Sequence, residues 1–315
     1  MRKLLAAAVA LAPLAVAAGV VHAETVISNT RTTPILTANA NGGAADDVRI
    51  AQGGKIEVDS GTAVTLNSDN DVTVDQGGSI EMEDAADGAT AILVHGGNTG
   101  SVVMNGTIRI TDGYTAEDED GDGDLDGPFA EGVERYGIRV MGAAPLDGDV
   151  QVGRNGAIVV EGDESYGVSI ESGLTGDLVM RGSVTVTGDQ SYGVRATGDI
   201  GGDVWIGGGI AVQGEGSTAV SLEGDIDGAL RIDSTISATG FRYTTRPPTQ
   251  EIMDGLDPDD LLSGGPAVRI SGNVAGGVLL ATTATLPEMR TADPPIRRSS
   301  GSSPSMISCV GGRVV

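Results

Sequence analysis

Aromatic residues are scarce in this chain of 315 residues: one Trp, five Tyr and two Phe make up 3% of it. The rings that fill an ordinary globular core are therefore nearly absent. One Cys excludes an internal disulfide framework, and with only two His it also excludes zinc centres of the Cys/His type. Positive charge is in short supply, with 19 Lys and Arg against 44 Asp and Glu and a net charge of −25. A protein that grips nucleic acid through phosphates needs a basic footprint, so that class is excluded. Docking on anionic membrane surfaces is disfavoured for the same reason. Glycine, in contrast, is abundant at 50 residues, about twice its usual share.

The first 23 residues have the layout of a secretory signal peptide. Arg2 and Lys3 give a basic start, Leu4 to Val21 is apolar and Ala-rich, and Val21-His22-Ala23 places small residues for cleavage after Ala23. No other apolar run approaches the roughly 20 residues of a membrane span. Removing this segment leaves 17 basic against 44 acidic residues in a chain expected to leave the cytoplasm.

What remains is a repeat. Gly162–Thr187, Gly188–Gln213 and Gly214–Thr239 align without gaps at a period of 26 residues, with Ser165-Tyr166-Gly167 returning as Ser191-Tyr192-Gly193 and Ser217-Thr218-Ala219. Each unit holds three short apolar-x-apolar segments. The first column runs Val48/Ile50, Val72/Val74, Val102/Met104, Val150/Val152, Leu178/Met180, Val204/Ile206, Leu230/Ile232 and Val278/Leu280. The second runs from Ile56/Val58 to Ile236/Ala238, and the third from Val64/Leu66 through Val168/Ile170 and Val194/Ala196 to Val268/Ile270. The residue inside each pair is unconstrained: Val103, Gln151, Val179, Trp205 and Arg231 share one column. Period two with one constant face is strand logic. An antiparallel sandwich explains alternation but not columns in a fixed register. The pattern predicts an all-β chain folded as a right-handed, three-sided parallel β-helix of about eight coils, its handedness resting on the crossover preference and on family likeness. Gly and Asp at the corners supply positive φ and turn hydrogen bonds.

Residues 24–45 precede the first clear coil and are expected to cap the rod, which spans 46–281. Insertions at about 112–132 and 241–264 break the register and should emerge as corner loops. Residues 282–315 lose the alternation, carry four Arg against one Glu and one Asp, and are expected to be irregular. They read as foreign sequence joined to a solenoid cut in mid-coil, as a truncation or shifted reading frame produces.

The sharpest chemical signal is the acidic run 117–126, where Asp118, Asp120, Asp122, Asp124 and Asp126 alternate and Gly121 and Gly123 intervene. Calcium wants six to eight oxygens and Gly permits the tight wrap, so these five carboxylates are the candidate metal ligands. Phe129 stands where a helix–loop–helix site needs its bidentate Glu, and a solvated acidic loop tip explains the run equally. Arg139, Arg195 and Arg269 fall on the outward position of the third column with Ser169 and Ser221 between them. They form either a comb for anionic headgroups or partners for nearby carboxylates. Tyr136, Tyr166 and Tyr192 either stack along a corner or each close a turn locally. Trp205 should face outward, and His95, the only histidine after the signal, follows a third-column strand.

The signal peptide, the three-column coils and units such as Gly188-Asp189-Gln190-Ser191-Tyr192-Gly193-Val194 resemble the passenger domains of bacterial autotransporters over roughly residues 24–281. That resemblance implies a right-handed parallel β-helix carried to the cell surface by a C-terminal outer-membrane barrel, most commonly as an adhesin. No barrel pattern follows residue 281, so the chain as given is expected to stop in the periplasm, with surface or outer-membrane placement for an intact family member. The expected function is a non-catalytic surface adhesion or binding module for a glycan or protein ligand, with calcium as the one possible cofactor. The alternative is a polysaccharide lyase or glycosidase, which needs paired carboxylates in a cleft.

Overall fold

The computed structural model describes residues 24–118, 125–241, 249–256 and 261–281, together with the backbone of 307–310. Three sheets of nine, eight and nine strands run along a rod. The strands within each sheet are parallel, apart from one terminal strand, and successive members are one coil apart in the chain. The molecule is a parallel β-solenoid of about eight turns. The first sheet begins with Glu24–Ile27 and Asp47–Ile50 and ends with Val278–Leu280; the second runs from Thr30–Arg31 to Ile236–Thr239; the third runs from Ile35–Leu36 to Pro266–Ile270.

The apolar columns stack residue on residue. Val48, Val72, Val102, Val150, Leu178, Val204 and Leu230 are direct partners in successive rungs of the first sheet. Val168, Val194 and Val220 are likewise successive partners in the third. All ten are buried. Aliphatic ladders of this kind fill a narrow interior without rings, because each side chain needs to complement only its own kind above and below.

The two ends differ from the interior. Residues 24–36 place one strand at the outer edge of each sheet. At the other end, Val278 and Leu280 sit in register with Leu230 and Ile232 but are 43% and 48% exposed, so the inward orientation expected of this last pair provides no burial. No coil lies beyond them among the described residues to cover that face. Of the tail expected to be irregular, Ile307–Val310 lies antiparallel along Pro266–Ile270.

The corners depart in one respect from a simple glycine-and-aspartate rule. Entering the third sheet, Gly88, Glu134, Glu164, Gln190 and Gly216 occupy one column, all with φ between 50° and 72°. Glu and Gln accept a left-handed backbone there because the rungs on either side impose it. Two residues ahead, Gly188 has φ 144°, and a Cβ on it would lie 2.0 Å from the Gly162 carbonyl oxygen. Here backbone meets backbone, and only glycine fits.

The rod's dependence on its ladders is open to test. Val194 is fully buried between Val168 and Val220. Val194→Asp is expected to lower unfolding stability by on the order of 3 kcal/mol or more, since it buries a carboxylate without a partner. Urea titrations of the two chains with coinciding midpoints would sink the assignment.

Candidate functional site

Both insertions leave the rod at the same corner. The first departs after Thr107–Ile110 of the second sheet and returns to Tyr136–Met141 of the third; the second departs after Ile236–Thr239 and returns to Pro266–Ile270. Four rungs separate them, about 19 Å at the usual spacing of strands. The corner between them carries a side-chain array that repeats from coil to coil.

That array begins with the tyrosines. The Tyr136 and Tyr166 rings stack at 4.8 Å and 4°, and Tyr166 and Tyr192 at 5.4 Å and 3°. The columnar alternative is therefore the one realised. Beneath them Ser165, Ser191 and Ser217 are buried and bond from coil to coil: Ser165 N donates to Ser191 Oγ at 2.9 Å, and Ser191 N to Ser217 Oγ at 2.9 Å. Their hydroxyls satisfy corner carbonyls, Ser191 Oγ donating to Gly162 O and Ser217 Oγ to Gly188 O. The recurring Ser-Tyr of the sequence is one device, a hydroxyl that closes the corner and a ring that covers it.

The arginines of the same strands are committed within the molecule. Arg139 Nε donates to Glu171 at 2.7 Å and Arg195 Nε to Glu223 at 2.9 Å, each carboxylate coming from the next coil. Arg139 lies 4.1 Å from the Tyr136 ring centroid and Arg195 lies 4.7 Å from that of Tyr192. Ser169 and Ser221, though on the outward positions, are buried and donate to Glu171 and Glu223. Of the two readings of this column, pairing with carboxylates holds for Arg139 and Arg195. Arg269 is exposed and makes no ion pair among the described residues.

The first insertion is clamped at its base. Arg135, 3% exposed, takes the place in its coil that serine holds in the next three. Its guanidinium donates to Glu161 O at 2.8 Å and to Ala85 O, and pairs with Asp112 at 3.3 Å. Asp112 accepts from Glu131 N at 2.8 Å and Gly132 N at 2.9 Å, so one carboxylate ties the first residue of the loop to its last two. Those bonds hold its carboxyl below the usual aspartate range, against the opposing effect of burial. Nothing in the sequence marked this clamp, because Arg135 interrupts the serine column instead of continuing it.

Of the candidate calcium ligands, Asp120, Asp122 and Asp124 lie outside the described residues. Asp118 and Asp126 flank them, and Asp126 N donates to Glu117 O at 2.8 Å, drawing the two limbs of the loop together. Among the described residues no three His, Cys, Asp or Glu side chains converge as a metal-holding group. Elsewhere the acidic corners have a structural use. Asp149, Asp177 and Asp203 each accept the backbone N–H of the matching residue one coil on, at 2.7–2.8 Å. Trp205 faces outward on the first sheet, with Arg181 and Arg231 at 4.7 and 4.6 Å from the ring centroid, and its Nε1 donates to Asp233. His95 is exposed at a strand end. Of two open grooves, one lies on this same corner toward the first coils, lined in part by Glu57, Asp59, Ser60 and Glu83, and the other lies between the first and second sheets, lined in part by Gln52, Asp75 and Thr107. No helix among the described residues is long and apolar enough to cross a membrane.

Two outcomes are expected. Arg135→Met should leave the rod folded but open the loop base, seen as faster protease cleavage between Thr111 and Gly132; unchanged cleavage would show that the clamp does not hold the loop. The second concerns acid. The Glu223 carboxyl lies below the ordinary glutamate range, chiefly through its hydrogen bond from Arg195, and the Glu81 carboxyl does so through its hydrogen bond from Lys55. A folded-state value below the unfolded one stabilises above about pH 4.3, and the contribution fades as pH falls through the lowered value. Unfolding stability measured from pH 6 to 3 should decline, and Glu223→Gln should make that decline shallower; an equal slope would contradict the pairing.

No family model, curated protein or solved structure matches this chain.

Proposed function

We propose that the chain is a non-catalytic binding module, an exported β-solenoid of the autotransporter-passenger type whose ligand-facing surface is the corner between the second and third sheets. The observation that carries this reading is that both insertions emerge from that one corner and bracket the tyrosine–serine ladder. Solenoids present insertions on the face they use, and a rigid rod holds such loops at a fixed separation. The arginine–glutamate pairs give the face a firm, hydrogen-bonded floor instead of free cations. The ligand class is a surface glycan or a protein. Export is supported by the basic-then-apolar start ending at Ala23. In a bacterial host with two membranes, the periplasmic fraction should hold a chain beginning at Glu24; full-length chain retained in the cytoplasm would overturn this part of the proposal.

A polysaccharide-active enzyme is the second reading, and the groove at Glu57, Asp59 and Glu83 is where its paired carboxylates would stand. Incubation with acidic polysaccharides, with and without calcium, separates the two. Retention without depolymerisation is expected. Turnover abolished by Asp59→Asn would establish the enzyme.

Calcium belongs to the proposal at the acidic loop. Seven acids crowd residues 117–126, and their repulsion should open the loop at low ionic strength. Millimolar calcium should slow nicking between Thr111 and Gly132 more than sodium chloride of equal ionic strength, and magnesium should do less. Equal protection by sodium chloride would reduce the loop to a charge cluster.

A further inference from the structure

The two ends of the rod are finished differently. At the first coil, Arg31 occupies the inward register of the second sheet, beside Ile56. Its guanidinium folds over the end, donating to Thr33 O at 2.8 Å and Pro34 O at 3.0 Å. A charge on the core column and strands of only two residues are devices that blunt an edge. Beneath them Ile27 and Ile35 stay buried.

Among the described residues the last coil has no such finish. Val278 and Leu280, on the core column, and Leu279 beside them are 39–48% exposed. The last parallel strand of the third sheet is Pro266–Ile270, and here the register departs from that of the earlier coils. Arg139 and Arg195 each face a serine on the next coil and pair with a glutamate two residues after it, in Ser169-Ile170-Glu171 and Ser221-Leu222-Glu223. Arg269 is the next arginine of that column, placed beside Ser221 of the preceding coil. Among the described residues, Ile307–Val310 is what lies beyond it, antiparallel and with a shift of register between Pro266 and Arg269, and Ser308 stands opposite the arginine. Arg269 is left exposed and without an ion pair among the described residues; its charge is felt at longer range by Glu223.

We propose that this end of the rod is a strand-addition site for a partner protein, which supplies an extended segment with alternating aliphatic residues and a carboxylate for Arg269. The segment enters parallel to Pro266–Ile270, displaces Ile307–Val310, and sets its carboxylate two residues beyond the position facing the arginine, as Glu171 and Glu223 are set in their own coils. Main-chain hydrogen bonds supply affinity, while the apolar alternation and the charge supply register. Val278–Leu280 gives the same segment, or its continuation, an apolar edge to lie against. The site is independent of where the chain is located and of what the corner face binds.

A peptide with the sequence of residues 214–224, which carries Ser221-Leu222-Glu223, is the probe. Labelled and titrated into the full chain, it should bind saturably by fluorescence anisotropy. The peptide with Glu223→Gln should bind about three- to ten-fold more weakly, and so should the unchanged peptide to an Arg269→Gln chain. Leu279→Glu in the chain should weaken it further, whereas Val26→Glu, at the blunted end, should leave it unchanged. These positions are exposed, and matching thermal melts confirm that the variants fold. No binding, equal binding of the Gln peptide, or equal binding of a scrambled peptide of the same charge would overturn the proposal.

Discussion

Everything in this molecule depends on one constraint: each coil must offer its backbone N–H and C=O groups to the coils above and below in fixed register. No coil can bury its own inner face, so a strand is stable only where its neighbour repeats it. The valine and isoleucine columns, the serine bonds at the corner and the aspartate bonds at the other turns all obey that demand. The stacked tyrosines are its visible form, with ring spacings of 4.8 and 5.4 Å close to the separation of the strands beneath them. An aromatic-poor, glycine-rich composition fits a fold in which stacking distance is set by the backbone.

The same constraint explains how a strongly acidic chain stays compact. Carboxylates at the turns accept N–H groups from the next coil and so work as hydrogen-bond acceptors within the wall of the rod. Burial is the opposing cost: it pushes the carboxyl of Asp163 above the usual aspartate range even though that carboxyl accepts the backbone N–H of Asp189 one coil away. The few cations are placed where they matter, in pairs such as Arg139–Glu171, Arg195–Glu223 and Lys55–Glu81.

The inner face was legible in the sequence because it repeats. Val168, Val194 and Val220 lie 26 residues apart and are neighbours in space, and the alternation around them admits one side of the strand to the core. The outer face was legible only in part. The arginine column could be read, but its glutamates could not, because each pairs across 28 or 32 residues and an insertion or turn changes the offset. The Asp112–Arg135 clamp was illegible for a stronger reason: it occurs once, and a periodic reading sees a single exception as noise. Left-handed Glu134, Glu164 and Gln190 escaped because no local preference calls for them; the neighbouring coils dictate their backbone.

The aspartate turns carry an evolutionary consequence. Asp203 accepts the N–H of Ala229 as readily as Asp177 accepts that of Asp203. The acceptor asks nothing of the following residue except a backbone amide, so the turn on one coil places no demand on the side chain of the next. A gene encoding such coils can gain or lose a whole unit at these turns without losing an aspartate bond, because the next coil always offers a backbone amide. The arginine–glutamate pairs set the limit, since Arg139 and Arg195 each need the coil that brings their own glutamate, and the corner loop held by Arg135 is likewise tied to its own coil.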